Sequence, residues 1–246
     1  MEQQFPLGYA YLKESEKILR MREEERFNID GEWFQFGRKQ GISFGNQPKL
    51  ICPDISLGGN YAFDEKGKFY SSTTLYGYIK KSSSNFSYNF LMAVLNSTIC
   101  WYYLINTGTV LANNYFRFKP DYISKYPIPT IGESGQIAFE VIVELLVNLK
   151  KSSPKSNKLL ISFFEQLIDG MVFELYFPEE IKAANKEILK HLGELEPITD
   201  SMTDEEKLDV IQNEFDRLYD PTHPVRNNLE TLDSIEEVRV IKEAVK

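Results

Sequence analysis

The sequence predicts an α+β fold, in which a mixed domain of short strands and one packed helix at residues 1–132 is followed by an all-α domain at residues 133–246. Short aromatic and β-branched segments between turn residues dominate the first half, whereas apolar residues recur at helical spacing in the second. Residues 1–130 contain 15 Lys and Arg against 12 Asp and Glu, but residues 131–246 contain 13 against 24. Of the 33 aromatic residues, 25 precede residue 131. We therefore expect two domains with different roles.

The first half opens with a predicted helix at residues 7–26 and continues with predicted strands at residues 33–36, 49–53 and 73–80. Asp64-Glu65-Lys66-Gly67 places Asp first and Gly fourth in a turn, and this pattern predicts a hairpin. Between residues 87 and 106, apolar residues such as Phe90, Val94 and Tyr102 recur at helical spacing. They predict one packed helix that ends near Gly108.

The second half reads as a series of helices. Apolar stripes at residues 137–149 and 160–172 predict two long helices, and Pro178 fits the first turn of a third. Thr203 followed by Glu206 is a capping box that opens a fourth helix. A last helix is predicted after Pro224, up to about residue 241.

Several classes of protein are disfavoured by what the sequence lacks. No apolar run is long enough to span a membrane, and Cys52 and Cys100 are isolated, so we expect a reduced cytoplasmic protein. There is no Asn/Asp-Pro-Pro-aromatic loop for adenine methylation and no Gly-rich nucleotide loop. His191 and His223 have no partners at zinc-ligand spacing. We expect no catalytic centre, cofactor site or metal site within this chain.

Two alternative functions remain open on the sequence. Pro53-Asp54 followed by Asp64-Glu65-Lys66 fits the loose pattern of a free-standing Mg²⁺-dependent nuclease, with Asp54 and Asp64 as metal ligands and Lys66 assisting water. The same residues at 64–67 are also explained as turn chemistry. Alternatively, the acidic helices after residue 133 could bind a basic protein partner.

A DNA-binding surface is the third hypothesis and the favoured one. Arg bonds guanine bidentately, Asn and Gln bond adenine, and Lys, Ser and Thr reach phosphates. Side chains of these types lie in or beside predicted turns of the first half, with Tyr115 as a stacking group. The candidate residues are Arg38, Lys39, Gln40, Lys66, Lys68, Ser72, Thr74, Asn113, Asn114, Tyr115, Arg117 and Lys119.

Read as an ordered string, residues 6–130 resemble the TaqI-like C-terminal specificity domain of type IIG restriction-modification enzymes and adenine-specific DNA methyltransferases. The resemblance rests on the order and spacing of several short pieces. They are Tyr9-x-Tyr11-Leu12, Arg22, Trp33-x-x-Phe36-Gly37-Arg38-x-Gln40, Pro48-Lys49-Leu50, Pro53-Asp54-Ile55, Phe63-Asp64, Gly67, Leu95-Asn96-Ser97, Tyr115 with Phe118, and Tyr126-Pro127-Ile128-Pro129.

The resemblance implies sequence-specific recognition of double-stranded DNA for a type II, IIG-like enzyme. It also implies an upstream methyltransferase domain or subunit as partner, in some members with a nuclease. S-adenosylmethionine, and Mg²⁺ where a nuclease is attached, are expected in that catalytic part, outside this chain. Because such proteins change their contact residues when they change target, the resemblance assigns no individual base contact.

Overall fold

The computed structural model describes residues 1–37, 41–70, 74–152 and 157–246. The chain divides into two compact units, Met1–Ser43 and Phe44–Lys246. The fold is α+β, as predicted: helices predominate, and the strands are few, short and antiparallel.

In the first unit, the predicted helix at residues 7–26 is three shorter segments, α1 (Pro6–Glu14), α2 (Glu16–Arg20) and α3 (Arg22–Glu25). The last is a turn, because Glu23 and Glu24 have φ values of 50° and 58° and so leave the helical region. The predicted strand at residues 33–36 is wrong, since this stretch is a turn followed by a bend and irregular chain. Its Trp33 is 2% exposed and packs its ring against those of Tyr9 and Phe34.

In the second unit, the strands form two small antiparallel sheets. The first has the order β3 (Ala62–Asp64), β1 (Lys49–Pro53), β4 (Leu75–Tyr78), with Lys49 opposite Asp64 and Cys52 opposite Tyr76. The second pairs β2 (Ile55–Ser56) with β5 (Phe116–Arg117), and Ile55 lies opposite Arg117. The predicted strands at residues 49–53 and 73–80 are therefore found as β1 and, in the part that is described, β4.

The predicted packed helix is in fact two helices, α4 (Tyr88–Asn96) and α5 (Thr98–Thr107). Ser97 lies between them in an extended conformation, and its hydroxyl accepts a hydrogen bond from the backbone N–H of Cys100 at 3.2 Å. A serine in this position is a favoured helix N-cap, and it therefore starts a new helix instead of continuing the old one. The short helix α6 (Pro120–Ile123) follows β5.

The remainder of the second unit is helical, as predicted. The helices are α7 (Glu133–Ser152), α8 (Lys158–Tyr176), α9 (Pro178–Ala183), α10 (Asp204–Leu218), α11 (Pro224–Glu230) and α12 (Glu236–Ala244). The capping box at the start of α10 is confirmed, because Thr203 and Glu206 exchange side-chain-to-backbone hydrogen bonds. The single last helix predicted after Pro224 is instead the pair α11 and α12, separated by a 3₁₀ turn at Leu232–Ser234.

The hydrophobic core of the second unit is continuous across position 132. Phe90 of α4 packs edge-on against Phe139 of α7, with ring centroids 5.3 Å apart. The carboxylate of Asp169 on α8 accepts hydrogen bonds from the backbone N–H and the hydroxyl of Thr98, both at 2.7 Å. The division of roles between residues 1–132 and 133–246 stays a prediction, but residues 50–126 and 139–241 share one core. No helix within the described ranges has the length and apolar content to cross a membrane.

Candidate nucleic-acid interface

The turn at Asp64-Glu65-Lys66-Gly67 is built around the Asp64 carboxylate. The backbone N–H of Gly67 donates to the carbonyl of Asp64 at 3.3 Å, which closes the predicted turn. The carboxylate accepts hydrogen bonds from the backbone N–H groups of Lys68 at 2.8 Å and Phe69 at 3.0 Å. The predicted hairpin is nevertheless wrong, because β3 pairs with β1 and residues 68–70 form no strand. The segment after the turn binds to one side chain instead of to a strand.

Asp64 also forms a buried ion pair with Lys49. Lys49 Nζ lies 2.6 Å from Asp64 Oδ2, and the two side chains are only 2% and 3% exposed. Burial by itself would raise the pKa of Asp64, but hydrogen bonds from Lys49 and from the backbone of Phe69 and Lys68 outweigh it and hold the pKa below its ordinary value. The carboxylate is thus fully engaged in holding the turn to the start of β1.

The nuclease hypothesis for Asp54, Asp64 and Lys66 is contradicted by this geometry. Asp64 lies opposite Lys49 at the start of β1, whereas Asp54 follows the end of that strand. Four residues at about 3.3 Å each separate the two ends by about 13 Å, which is too far for two Asp carboxylates to share one metal ion. Within the described ranges, no group of three or more His, Cys, Asp or Glu side chains could hold a metal.

The candidate DNA-binding residues that are described fall into two groups at opposite ends of β1. Near its start, the turn group consists of Lys66 and Lys68, which are both exposed. Beyond its end, the β5 group lies on and around the β2–β5 pair, where the backbone N–H of Asp54 donates to the carbonyl of Thr74 at 2.9 Å. This second group contains Thr74, Asn113, Asn114, Tyr115, Arg117 and Lys119. Arg38, Lys39, Gln40 and Ser72 lie outside the described residues.

The loop before β5 presents its polar side chains to solvent. Asn113 and Asn114 have φ values of 60° and 59°, in the left-handed region that Asn tolerates better than most residues. Both are exposed, and Tyr115 is 39% exposed. The apolar side chains Ile55 and Val110 are 43% and 56% exposed. This mixture of amide, aromatic and aliphatic groups is what the edges of adenine and thymine can pair with.

The cations of the two groups are largely free of protein partners. Within the described part of the chain, Lys66, Lys68 and Lys119 form no ion pair, and Arg117 reaches only Asp54, at 3.9 Å. Nine other Lys and Arg side chains of the described residues take part in ion pairs at 2.8 Å or less, among them Lys49, Arg20 and Lys150. Free cations on a surface can neutralise phosphates without first breaking an internal contact.

Two residues organise this half of the chain in ways that the sequence reasoning did not anticipate. The Asn96 side chain accepts from the backbone N–H of Tyr61 at 2.8 Å and donates to its carbonyl at 3.0 Å, which fixes the start of β3 to the end of α4. Arg22, which lies in the predicted helix at residues 7–26, donates to the carbonyls of Trp33 and Gln35, both at 3.0 Å. Both residues are among the motif residues on which the family resemblance rests, and this was the sequence signal that could have identified them.

Comparison with known proteins agrees with that pattern. The family model of the TaqI-like C-terminal specificity domain matches residues 7–128, about half of the chain. Residues 7–128 of this chain belong to that family. The matched segment contains all five strands and α4 to α6, and therefore both groups of candidate residues; it ends before α7.

A curated relative points in the same direction. The chain is 26% identical over 151 residues to the Type II methyltransferase M.BanIII of Aneurinibacillus aneurinilyticus. The match covers 58% of this chain but only 25% of that protein. The chain thus spans about a quarter of the length of the relative.

Proposed function

We propose that this chain recognises a specific sequence in double-stranded DNA for a type II, IIG-like restriction-modification enzyme that methylates adenine at N6. Methyl transfer, and cleavage where it occurs, belong to a catalytic domain or subunit outside this chain, and that part binds S-adenosylmethionine. The single observation that supports the proposal most is the specificity-domain match over the segment that holds both groups of candidate residues.

The geometry supports a DNA ligand in size as well as in charge. The turn group and the β5 group are separated by about the length of β1, or about 13 Å. Successive base pairs of B-DNA rise about 3.4 Å, so this distance corresponds to about four base pairs. The loop amides and the arginine of the β5 group are suited to contact base edges. The exposed lysines of the turn group are suited to contact phosphates of the same short duplex.

A binding titration with fluorescently labelled duplexes tests the proposal. The preferred duplex is selected from a random pool by the whole chain, and its affinity is measured at two salt concentrations beside that of a scrambled duplex. We expect Lys119→Ala to weaken both duplexes about equally and to reduce the slope of log affinity against log salt by about one unit.

Lys182→Ala is the matched control, because Lys182 is exposed on α9, outside the matched segment. It removes the same charge, and we expect affinity and salt slope to stay at the values of the parent. If the random pool yields no enriched sequence, or if Lys119→Ala and Lys182→Ala change the salt slope equally, the proposed surface is wrong.

A further inference from the structure

The position of Asp54 is fixed on both sides by backbone hydrogen bonds. Its N–H donates to the carbonyl of Thr74 at 2.9 Å, and its carbonyl accepts from the N–H of Phe118 at 2.8 Å. It immediately precedes β2, whose Ile55 lies opposite Arg117 of β5. The carboxylate therefore projects from a rigid point next to the arginine of the β5 group.

The carboxylate of Asp54 is buried but incompletely satisfied. Asp54 is 8% exposed, and its Oδ1 has no hydrogen-bond partner within the described residues. Its Oδ2 lies 3.9 Å from Nη1 of Arg117, which is too long for a hydrogen bond. The Tyr76 side chain shares a hydrogen bond with this carboxylate, but Oδ1 stays without a partner, and an approach of about 1 Å by the guanidinium would add a charged donor.

Arg117 has donors to spare for a second partner. Its side chain is 38% exposed and makes no hydrogen bond within the part of the chain that is described. A guanidinium carries five N–H donors in a planar fork, so one edge can face a carboxylate while another faces a ligand. The ligand edge matches the O6 and N7 acceptors of guanine.

We infer that Asp54 is a positioning residue for Arg117, and that this pair reads a guanine in the major groove of the target. Asp54 holds one edge of the guanidinium so that the fork meets O6 and N7 of the base. The negative charge beside Arg117 also disfavours its use as a phosphate contact, because phosphate and carboxylate repel each other. This inference rests on the proposed function and names the residue that sets specificity within it.

The test uses the whole chain and its selected duplex, with guanines replaced one at a time by 7-deazaguanine, which lacks the N7 acceptor. We expect the parent to lose affinity about tenfold at one guanine, within the range for a bidentate Arg contact. Arg117→Ala and Arg117→Lys should both lose this sensitivity, although Lys keeps the charge. Asp54→Asn should lose most of the sensitivity to 7-deazaguanine, while it binds the scrambled duplex at least as tightly as the parent does.

Asp121→Asn is the charge-matched control, because Asp121 is exposed in α6 and Asp54 is not. We expect this variant to keep the 7-deazaguanine effect. A melting curve for every variant separates loss of reading from loss of folding, and Arg117→Lys provides a second, independent reading if Asp54→Asn unfolds. If Arg117→Ala or Asp54→Asn keeps the full effect in a folded protein, the inference is overturned. If the parent selects no sequence at all, the proposed function fails with it.

Discussion

The ion pair between Lys49 and Asp64 leads to the most direct prediction about stability. Asp64→Asn removes the charge but keeps the shape of the side chain. It leaves the Lys49 ammonium buried without its counter-ion, and removing one partner of a buried pair typically costs 3–5 kcal/mol. Lys49 also donates to the carbonyls of Gly45 at 2.7 Å and Gln47 at 3.3 Å, and these contacts remain. We therefore expect the lower end of that range, about 3 kcal/mol.

Thermal unfolding at pH 7 measures this loss. For a chain of this size, 1 kcal/mol lowers the melting temperature by about 2–4 °C, so we expect a decrease of about 6–12 °C. Glu65→Gln is the control, because Glu65 is the exposed neighbour and the substitution removes the same charge. Its melting temperature should stay within about 2 °C of the parent, since such surface changes cost about 0.5 kcal/mol or less.

The pH dependence gives an independent check of the same reasoning. The pKa of Asp64 is lowered in the folded protein, so its contribution to stability is present above the ordinary pKa of Asp and is lost as pH falls through the lowered value. The difference between the parent and Asp64→Asn should thus persist down to about pH 4 and narrow only below it. If Asp64→Asn melts no lower than Glu65→Gln at pH 7, the ion pair does not hold the turn as described.

Four further predictions concern the rest of the chain. Thr203→Ala removes half of the capping box of α10 and should lower the free energy of unfolding by about 1 kcal/mol in a denaturant titration. Gly59→Ala should be more harmful, about 1–3 kcal/mol, because a Cβ there would lie 2.7 Å from Asn96 Cα; an unchanged midpoint would contradict this. Burial raises the pKa of Asp169, so the contribution of its carboxyl group to the stability of the fold is complete below the ordinary pKa of Asp and is lost as pH rises. The melting temperature of Asp169→Asn, relative to that of the parent, should therefore be higher at about pH 7 than at about pH 4. Calorimetry with S-adenosylmethionine should detect no saturable binding at micromolar concentrations.

The long helices α7 and α8 and the start of α10 were predictable because their signals are local. The apolar stripes of α7 and α8 follow a period of 3.6 residues over five turns, and Thr203 with Glu206 needs only contacts within one turn. The break at Ser97 was missed for the opposite reason. The apolar pattern of Phe90 continues through it, and the break is decided by a side-chain hydrogen bond that periodicity does not report.

The strands β1 and β4 were predictable from the sequence, but the pairing of the strands was not. Lys49–Pro53 has the composition of a strand, yet the sequence favoured a local hairpin at Asp64 over the pairing of β3 with β1. A turn pattern states only that the chain reverses there. It does not predict which strand pairs with the segment beside the turn, because that pairing depends on the burial of residues distant in sequence.

The same limit applies to the candidate site, and it explains why the sequence left a metal-ligand role open for Asp54. By sequence alone, Asp54 is ten residues from Asp64 and sixty-three from Arg117, so the two nearby carboxylates left a metal site open as an alternative to DNA binding. The fold reverses these relations: β1 holds the two carboxylates apart, while the pairing of β2 with β5 brings the carboxylate to the guanidinium. A carboxylate beside another carboxylate attracts a cation, whereas a carboxylate beside an arginine orients it. The role that we propose for Asp54 therefore follows from its strand partner and not from its neighbours in the sequence.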